Sequence, residues 1–259
     1  MKYSKKSKYH IWSNEDNFDP DVFLTEIFNT GKVLKETDKT SSLQWYSYFV
    51  KKTNYSLSEG IFRHLFLSSR CRSAWNISNY LIDNHIPTPK PVAYLELLKY
   101  SLPYQHFFIS EYLRGSYNIE VFIRDGIYLS KGITLEYFFE IMKRFLILLW
   151  DKGVYHKDLS GKNLLTMEGE PIYLIDLDAT YLINHFAIKY KIRNLTQIFD
   201  SFCDFVNEKI LKDFIFTMLD DLSLKEIKII YTKIQQLQKQ RRNQHLRNIQ
   251  RYNKKDNLS

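Results

Sequence analysis

The sequence predicts an α+β protein of two lobes, a small antiparallel sheet with one helix followed by a mainly helical lobe. Three observations carry this reading. Apolar runs bounded by polar turns fill residues 30–115 around a single helical pattern. A strongly amphipathic pattern then begins at Thr134, and most of the chain from there to residue 238 keeps helical spacing. The composition agrees: 259 residues, 44% hydrophobic and 25% charged, suit a globular chain with a sizeable core and exclude disordered or collagen-like classes.

The first strand-like runs are Gly31–Glu36 and Leu43–Lys52, with the polar Thr37–Ser42 as a hairpin connection. The stretch from Ser56 to His85 turns helical late, through Trp75, Ile77, Tyr80 and Leu81. It must stop at Pro87, Pro89 and Pro91, which cannot continue a helix. Val92–Glu96 and Phe107–Leu113 complete a β-β-α-β-β order. Thr134 can cap the next helix, with Glu136 in its first turn and Leu135, Phe138, Phe139, Met142, Phe145, Leu146 and Leu149 on one face. Gly153 is placed to end it. Two short apolar runs, Leu164–Met167 and Ile172–Ile175, follow across the reversal Glu168–Pro171. The expected organisation is an N-terminal arm (1–29), an N-lobe (30–115), a helical C-lobe (116–238) and a basic tail (239–259).

The chemistry-bearing residues lie between the helix and the second short run: His156-Lys157-Asp158-Leu159-Ser160-Gly161-Lys162-Asn163, then Ile175-Asp176. Phosphoryl transfer needs a carboxylate to orient and deprotonate an attacking hydroxyl. It also needs an amide and a carboxylate to hold Mg²⁺ against nucleotide phosphates. An Asp and an Asn five residues apart on one loop, with a second Asp on a returning strand, supply that set. H-x-D-x-x-x-x-N followed by a hairpin and an apolar-Asp pair is the catalytic- and metal-loop arrangement of the protein-kinase-like fold.

The strings Val154–Leu165 and Tyr173-Leu174-Ile175-Asp176-Leu177-Asp178 resemble the lipopolysaccharide kinase (Kdo/WaaP) family, bacterial sugar kinases of protein-kinase-like fold. Ser69–Ala74, His85-Ile86-Pro87-Thr88-Pro89-Lys90-Pro91 and the helix opening Arg193-Asn194-Leu195 resemble further segments of that family, over roughly residues 30–205. The resemblance implies an ATP- and Mg²⁺-dependent kinase whose acceptor is a sugar hydroxyl, Kdo or heptose, of the lipopolysaccharide inner core. It makes Asp158 the catalytic base and Asn163 and Asp176 the Mg²⁺ ligands. A strand lysine, Lys51 or Lys52, would contact the α/β phosphates; alternation sends only one into the cleft, and Lys51 fits the pattern better. Ile109–Leu113 would be the adenine hinge, with Glu111 and Leu113 as its backbone contacts. His156 would brace the loop, and Asp178 would bind a second metal or orient the loop. The family's helix glutamate falls on Ala74, so the lysine needs another partner such as Glu59 or stands alone.

Two cysteines, Cys71 and Cys203, exclude a disulfide scaffold, and the histidine spacing predicts no structural zinc. No segment reaches the ~20 apolar residues of a membrane span, and the first residues lack a signal-peptide core. The expected location is therefore cytoplasmic, at most peripheral on the inner membrane. Residues 222–259 carry ten Lys or Arg against two acidic residues, equal to the net charge of the whole chain, +8. Such a segment is either a solvated helix end or a contact for an anionic membrane surface near a lipid-linked acceptor; nucleic acid is the less favoured partner. Alternative functions are an atypical protein kinase or other small-molecule kinase of the same fold, or a nucleotide-binding pseudokinase.

Overall fold

A computed structural model describes residues 2–6, 8–16, 18–54, 69–100 and 102–256. The chain divides into two compact units, residues 1–116 with 173–181 and residues 117–172 with 182–259.

The first unit is built on a seven-stranded, wholly antiparallel sheet. Its strands are β1 (Lys2–Lys6), β2 (Tyr9–Ser13), β3 (Lys32–Glu36), β4 (Thr40–Trp45), β5 (Tyr48–Asn54), β6 (Pro91–Lys99) and β7 (Leu102–Glu111), in the spatial order β1-β2-β6-β7-β5-β4-β3. Helix α1 (Pro20–Thr30) covers one face. Asp19 caps it through hydrogen bonds from the amides of Asp21 and Val22, Pro20 sits in its first turn, and Phe23, Leu24 and Ile27 turn inward. They join Ile11, Val50, Leu95, Phe107 and Ile109 in one core. Helix α2 (Arg70–Asp83) is capped by Ser69, whose Oγ accepts from Arg72 N–H, and buries Cys71, Ala74, Trp75 and Leu81. It ends where the proline-rich segment begins, as expected. The central strands β6 and β7 carry unbroken buried runs instead of alternation, because both faces of the sheet are covered.

In this unit two features differ from the sequence reading. Residues 1–29, read as an arm, contribute two strands and a helix. The run Leu43–Lys52, read as one strand, is two, with a hairpin turn at Tyr46-Ser47 where Trp45 pairs with Tyr48. Tyr46 itself adopts φ 47°, so no glycine, proline or asparagine marks the turn.

The second unit is mainly helical. β8 (Tyr117–Asn118) pairs with β10 (Leu164–Thr166), and between them lie α3 (Ile119–Arg124), α4 (Ile127–Ser130), α5 (Leu135–Asp151) and β9 (Val154–His156). α5 has the predicted Thr134 cap and buries Phe138, Phe139, Met142, Phe145, Leu146 and Leu149 along one face, each stabilising the unit by about 1.5–3 kcal/mol. Beyond β11 (Tyr173–Leu174) of the first unit and β12 (Thr180–Leu182) come α6 (Ile188–Phe202), α7 (Glu208–Thr217) and α8 (Leu224–Asp256). α8 runs through residue 239 without a break. Its apolar stripe of Ile227, Tyr231 and Ile234 is buried, and Arg242 extends the docking by bonding Asp200 and Asp204 next to α6. Among the described residues no helix is long and apolar enough to cross a membrane.

Candidate functional site

In the second unit, β9 is buried throughout and delivers the loop that carries Asp158. His156 is fully buried. Its Nδ1 accepts the Asp158 amide at 3.1 Å, which places its ring proton on Nε2, and its carbonyl accepts from Asn194 Nδ2 at 2.9 Å. Gln197 grips the loop from both sides: Oε1 accepts from Leu159 N–H at 2.9 Å and Nε2 donates to the Lys157 carbonyl at 2.5 Å. Ser201 Oγ accepts from Gly161 N–H at 2.9 Å. Asn194, Gln197 and Ser201 recur at i, i+3, i+7 on α6, so one helix face bonds the loop backbone at residues 156, 157, 159 and 161. Gly161 allows that approach, since a Cβ there would meet Glu120 Cβ at 3.2 Å and Ser201 Cβ at 3.4 Å.

The loop's own polar side chains then face each other. Asn163 Nδ2 donates to the Asp158 carbonyl at 2.7 Å and to Asp158 Oδ2 at 3.3 Å. That orientation leaves Asn163 Oδ1 as the atom able to ligate a cation. The Asp158 carboxylate is 56% exposed, and Arg241 of α8 approaches its other oxygen at 3.7 Å.

In the first unit, Lys51 and Lys52 take opposite faces of β5. Lys51 Nζ donates to Asp176 Oδ1 at 2.6 Å and to Asp178 Oδ1 at 2.8 Å. Lys52 lies over the Phe28 ring at 4.9 Å on the α1 side, where burial lowers its pKa against the opposing pull of Glu36. Burial also works against the charge on Lys51, but the two carboxylates outweigh it and raise its pKa. Asp178 is less well served. Burial raises its pKa first, and repulsion from Asp176 adds to that rise, while Lys51 opposes both. Asp176 adopts the left-handed conformation at φ 58°, one that Asp tolerates better than most residues.

Ala74 is buried on α2 and offers the lysine nothing. Lys51 nevertheless does not stand alone, because Asp178 provides the carboxylate that the helix lacks. Glu59, the other partner considered, lies outside the described residues. At the expected hinge, the Glu111 amide donates to the Lys90 carbonyl at 2.9 Å, and Tyr112 N–H donates to the Ser47 carbonyl at 2.7 Å. The Leu113 carbonyl accepts from Ser116 Oγ at 2.8 Å.

The donor set fits Mg²⁺ bound with a nucleotide. Asp176 and Asp178 carry one negative charge more than Lys51 neutralises, and the available ligand atoms are hard oxygens. Among the described residues no three His, Cys, Asp or Glu side chains are arranged to hold a metal by themselves.

The sequence profile of the lipopolysaccharide kinase (Kdo/WaaP) family matches residues 29–215. The chain belongs to that family. Membership makes it a phosphotransferase of kinase type, and kinases of this family use ATP. A solved structure of WaaP in complex with acyl carrier protein is 18% identical to the chain, with a TM-score of 0.59 over 82% of this chain and 88% of that one. This likeness establishes the kinase-like α+β fold. WbdD, a bifunctional kinase-methyltransferase, is 13% identical over 76% of this chain and 47% of that one, with a TM-score of 0.44. A Toxoplasma gondii rhoptry antigen kinase domain is 10% identical over 79% and 81%, with a TM-score of 0.45. No curated protein sequence matches significantly.

The sequence reading names the Asp158 loop and the Asp176 segment but not the polar stripe of α6. Its only sequence signal is three amide or hydroxyl residues at helical spacing on an otherwise apolar face.

Proposed function

We propose that the protein transfers the γ-phosphoryl group of ATP to a sugar hydroxyl, Kdo or heptose, of the lipopolysaccharide inner core. One observation carries the reading. The loop around Asp158 is tied down at the backbone of residues 156, 157, 158, 159 and 161, while the Asp158 carboxylate stays 56% exposed. A base held this firmly, with its reactive atoms open, matches what in-line transfer demands of a protein: positioning, not covalent chemistry.

Asp158 would take the proton of the acceptor hydroxyl as that oxygen attacks phosphorus. His156 and Gln197 would keep the carboxylate in place, and Lys51 would bind the α/β phosphates. Mg²⁺, bound with ATP, supplies charge neutralisation to the phosphates, and Asn163 Oδ1 and Asp176 are the ligands this chain offers. Glu111 and Leu113 would contact adenine through their backbones. The exposed Lys239 and Arg247 of α8 would favour an anionic membrane surface that presents a lipid-linked acceptor.

A pseudokinase reading rests on Ala74. The two carboxylates on Lys51 weigh against it, because the lysine keeps ion-pair partners without a helix glutamate.

The test is transfer from ATP to deacylated core oligosaccharide, with the phosphate located by fragmentation mass spectrometry. Phosphate on Kdo or heptose is the expected product. Phosphate found only on added protein substrates, or ATP binding without transfer to any acceptor, would overturn the assignment.

A further inference from the structure

We propose that Arg241 binds a carboxylate or phosphate on the acceptor sugar, beside the hydroxyl that Asp158 deprotonates, and so selects an anionic acceptor. The inference deepens the functional reading above and rests on it.

Neighbouring arginines of α8 are used in different ways. Arg242 is committed: Nε donates to Asp200 Oδ1 at 2.7 Å, Nη2 to the Asp200 carbonyl at 3.1 Å, and Nη1 and Nη2 to the Asp204 carboxylate at 2.8 and 2.9 Å. With Gln238, which donates to Asp200 Oδ1 at 3.0 Å, and the buried Ile227, Tyr231 and Ile234, it fixes α8 against its surroundings. Arg241 adds little to that anchoring. Its Nη2 stands 3.7 Å from Asp158 Oδ1 and its Nε 3.6 Å from Asp200 Oδ2, both beyond hydrogen-bond length.

Arg241 pairs with both carboxylates only at ion-pair distance, and each has its other oxygen engaged elsewhere. Asp200 Oδ1 accepts from Arg242 and Gln238, and Asp158 Oδ2 accepts from Asn163. Arg241 therefore carries a guanidinium fork, 42% exposed, on a rigid helix beside the base, with donors not spent on hydrogen bonds to either carboxylate. Such a fork recognises carboxylate or phosphate in two-point fashion. An anionic group docked there would lie within a few ångströms of Asp158, and the sugar hydroxyl next to it would reach the base. The two sources of the anion, a sugar-acid carboxylate and a phosphate already on the core, share this chemistry.

The experiment measures steady-state transfer by wild type, Arg241→Ala, Arg241→Lys and Lys233→Ala. Each is tested with deacylated core oligosaccharide, the same oligosaccharide with its carboxylates reduced to alcohols, and the same after phosphatase treatment. Arg241→Ala should raise the acceptor KM by about 10- to 100-fold, the loss expected for a charge-assisted contact, and leave the KM for ATP in place. It should no longer distinguish the anionic acceptor from whichever neutralised form wild type discriminates against, and that form identifies the anion. Arg241→Lys should recover part of the affinity, and the exposed-surface control Lys233→Ala should change neither constant. A thermal midpoint for Arg241→Ala near that of wild type establishes that α8 still docks. An unchanged acceptor KM, a fall confined to kcat, or a rise in kcat would overturn the proposal, the last by making Arg241 an inhibitory strap. Absence of transfer by wild type itself would instead refute the kinase assignment on which the proposal rests.

Discussion

Lys51 and Asp178 form an ion pair whose two halves should respond oppositely to neutralisation. The Lys51 side chain is 15% exposed and Asp178 11%, so both ions have lost most of their water. The lysine regains two anions at 2.6 and 2.8 Å, and its pKa rises despite burial. Asp178 regains Lys51 and, at 4.0 Å, the mostly exposed Arg70, but it also faces Asp176; burial raises its pKa, which for an acid means that the fold disfavours its charge. Lys51→Met leaves two carboxylates with no cation nearer than Arg70 at 4.0 Å and should cost about 3–5 kcal/mol. Asp178→Asn leaves the Lys51–Asp176 pair intact and removes the poorly tolerated charge, so its effect at pH 7 should stay within about 1 kcal/mol. The sign of the pH dependence follows. An acid whose folded pKa is raised contributes stability below its unfolded value of 3.8, and loses that contribution as pH rises through the folded value. Wild type should therefore gain on Asp178→Asn as the pH falls from 7 toward 4. Urea denaturation followed by tryptophan fluorescence reads this directly, since Trp12, Trp45 and Trp75 all lie in the first unit. If Asp178→Asn proves as costly as Lys51→Met, the asymmetry argued here is wrong.

Other perturbations test the second unit. Gln197→Ala strips the Leu159 amide and the Lys157 carbonyl of their partners; it should cost about 1–3 kcal/mol and lower kcat more than it raises the KM for ATP, by steady-state kinetics. Gly153→Ala should destabilise by about 2–4 kcal/mol in a thermal melt, because φ is +65° and a Cβ would fall 2.3 Å from the Ile183 carbonyl oxygen. Arg242→Ala should cost about 1–2 kcal/mol by loosening α8. The hydrogen bond from Arg242 lowers the Asp204 pKa, so the stability from that bond is present above pH 3.8 and is lost as pH falls through the depressed value. Acid titration of hydrogen exchange in α8 should show protection falling below about pH 3.8 in wild type and no matching step in Arg242→Ala.

The fold class was legible because its signals are local. α5 announces itself by its cap and apolar stripe, α2 by the prolines that stop it, and the strands β6 and β7 by runs of apolar residues. The missing pieces have physical reasons. β1 and β2 are five-residue strands, too short to stand out, and β1 is rich in lysine; β2 becomes a strand by pairing with β6 and β1 by pairing with β2. The turn at Tyr46 is formed by a residue that ordinarily avoids positive φ, so pattern alone merges β4 with β5. α8 continues past 239 because Arg242 reaches carboxylates about 40 positions earlier in the chain. At the candidate site, Asp158, Asn163 and Asp176 are conspicuous because their spacing within a short segment is itself the signal. The Lys51–Asp178 contact spans 127 positions, and the α6 stripe meets its loop across 38 to 40. Such partners are chosen by the folded chain and leave no local trace.

The central claim is that Asp158 and Asp176 carry phosphoryl transfer to a core sugar. The most direct measurement is incorporation of radiolabelled phosphate from Mg²⁺-ATP into deacylated lipopolysaccharide core by wild type, Asp158→Ala and Asp176→Ala, each confirmed folded by circular dichroism. Incorporation by wild type and a loss of about 100-fold or more in both variants is the predicted result. Incorporation that survives Asp158→Ala undiminished would contradict the account.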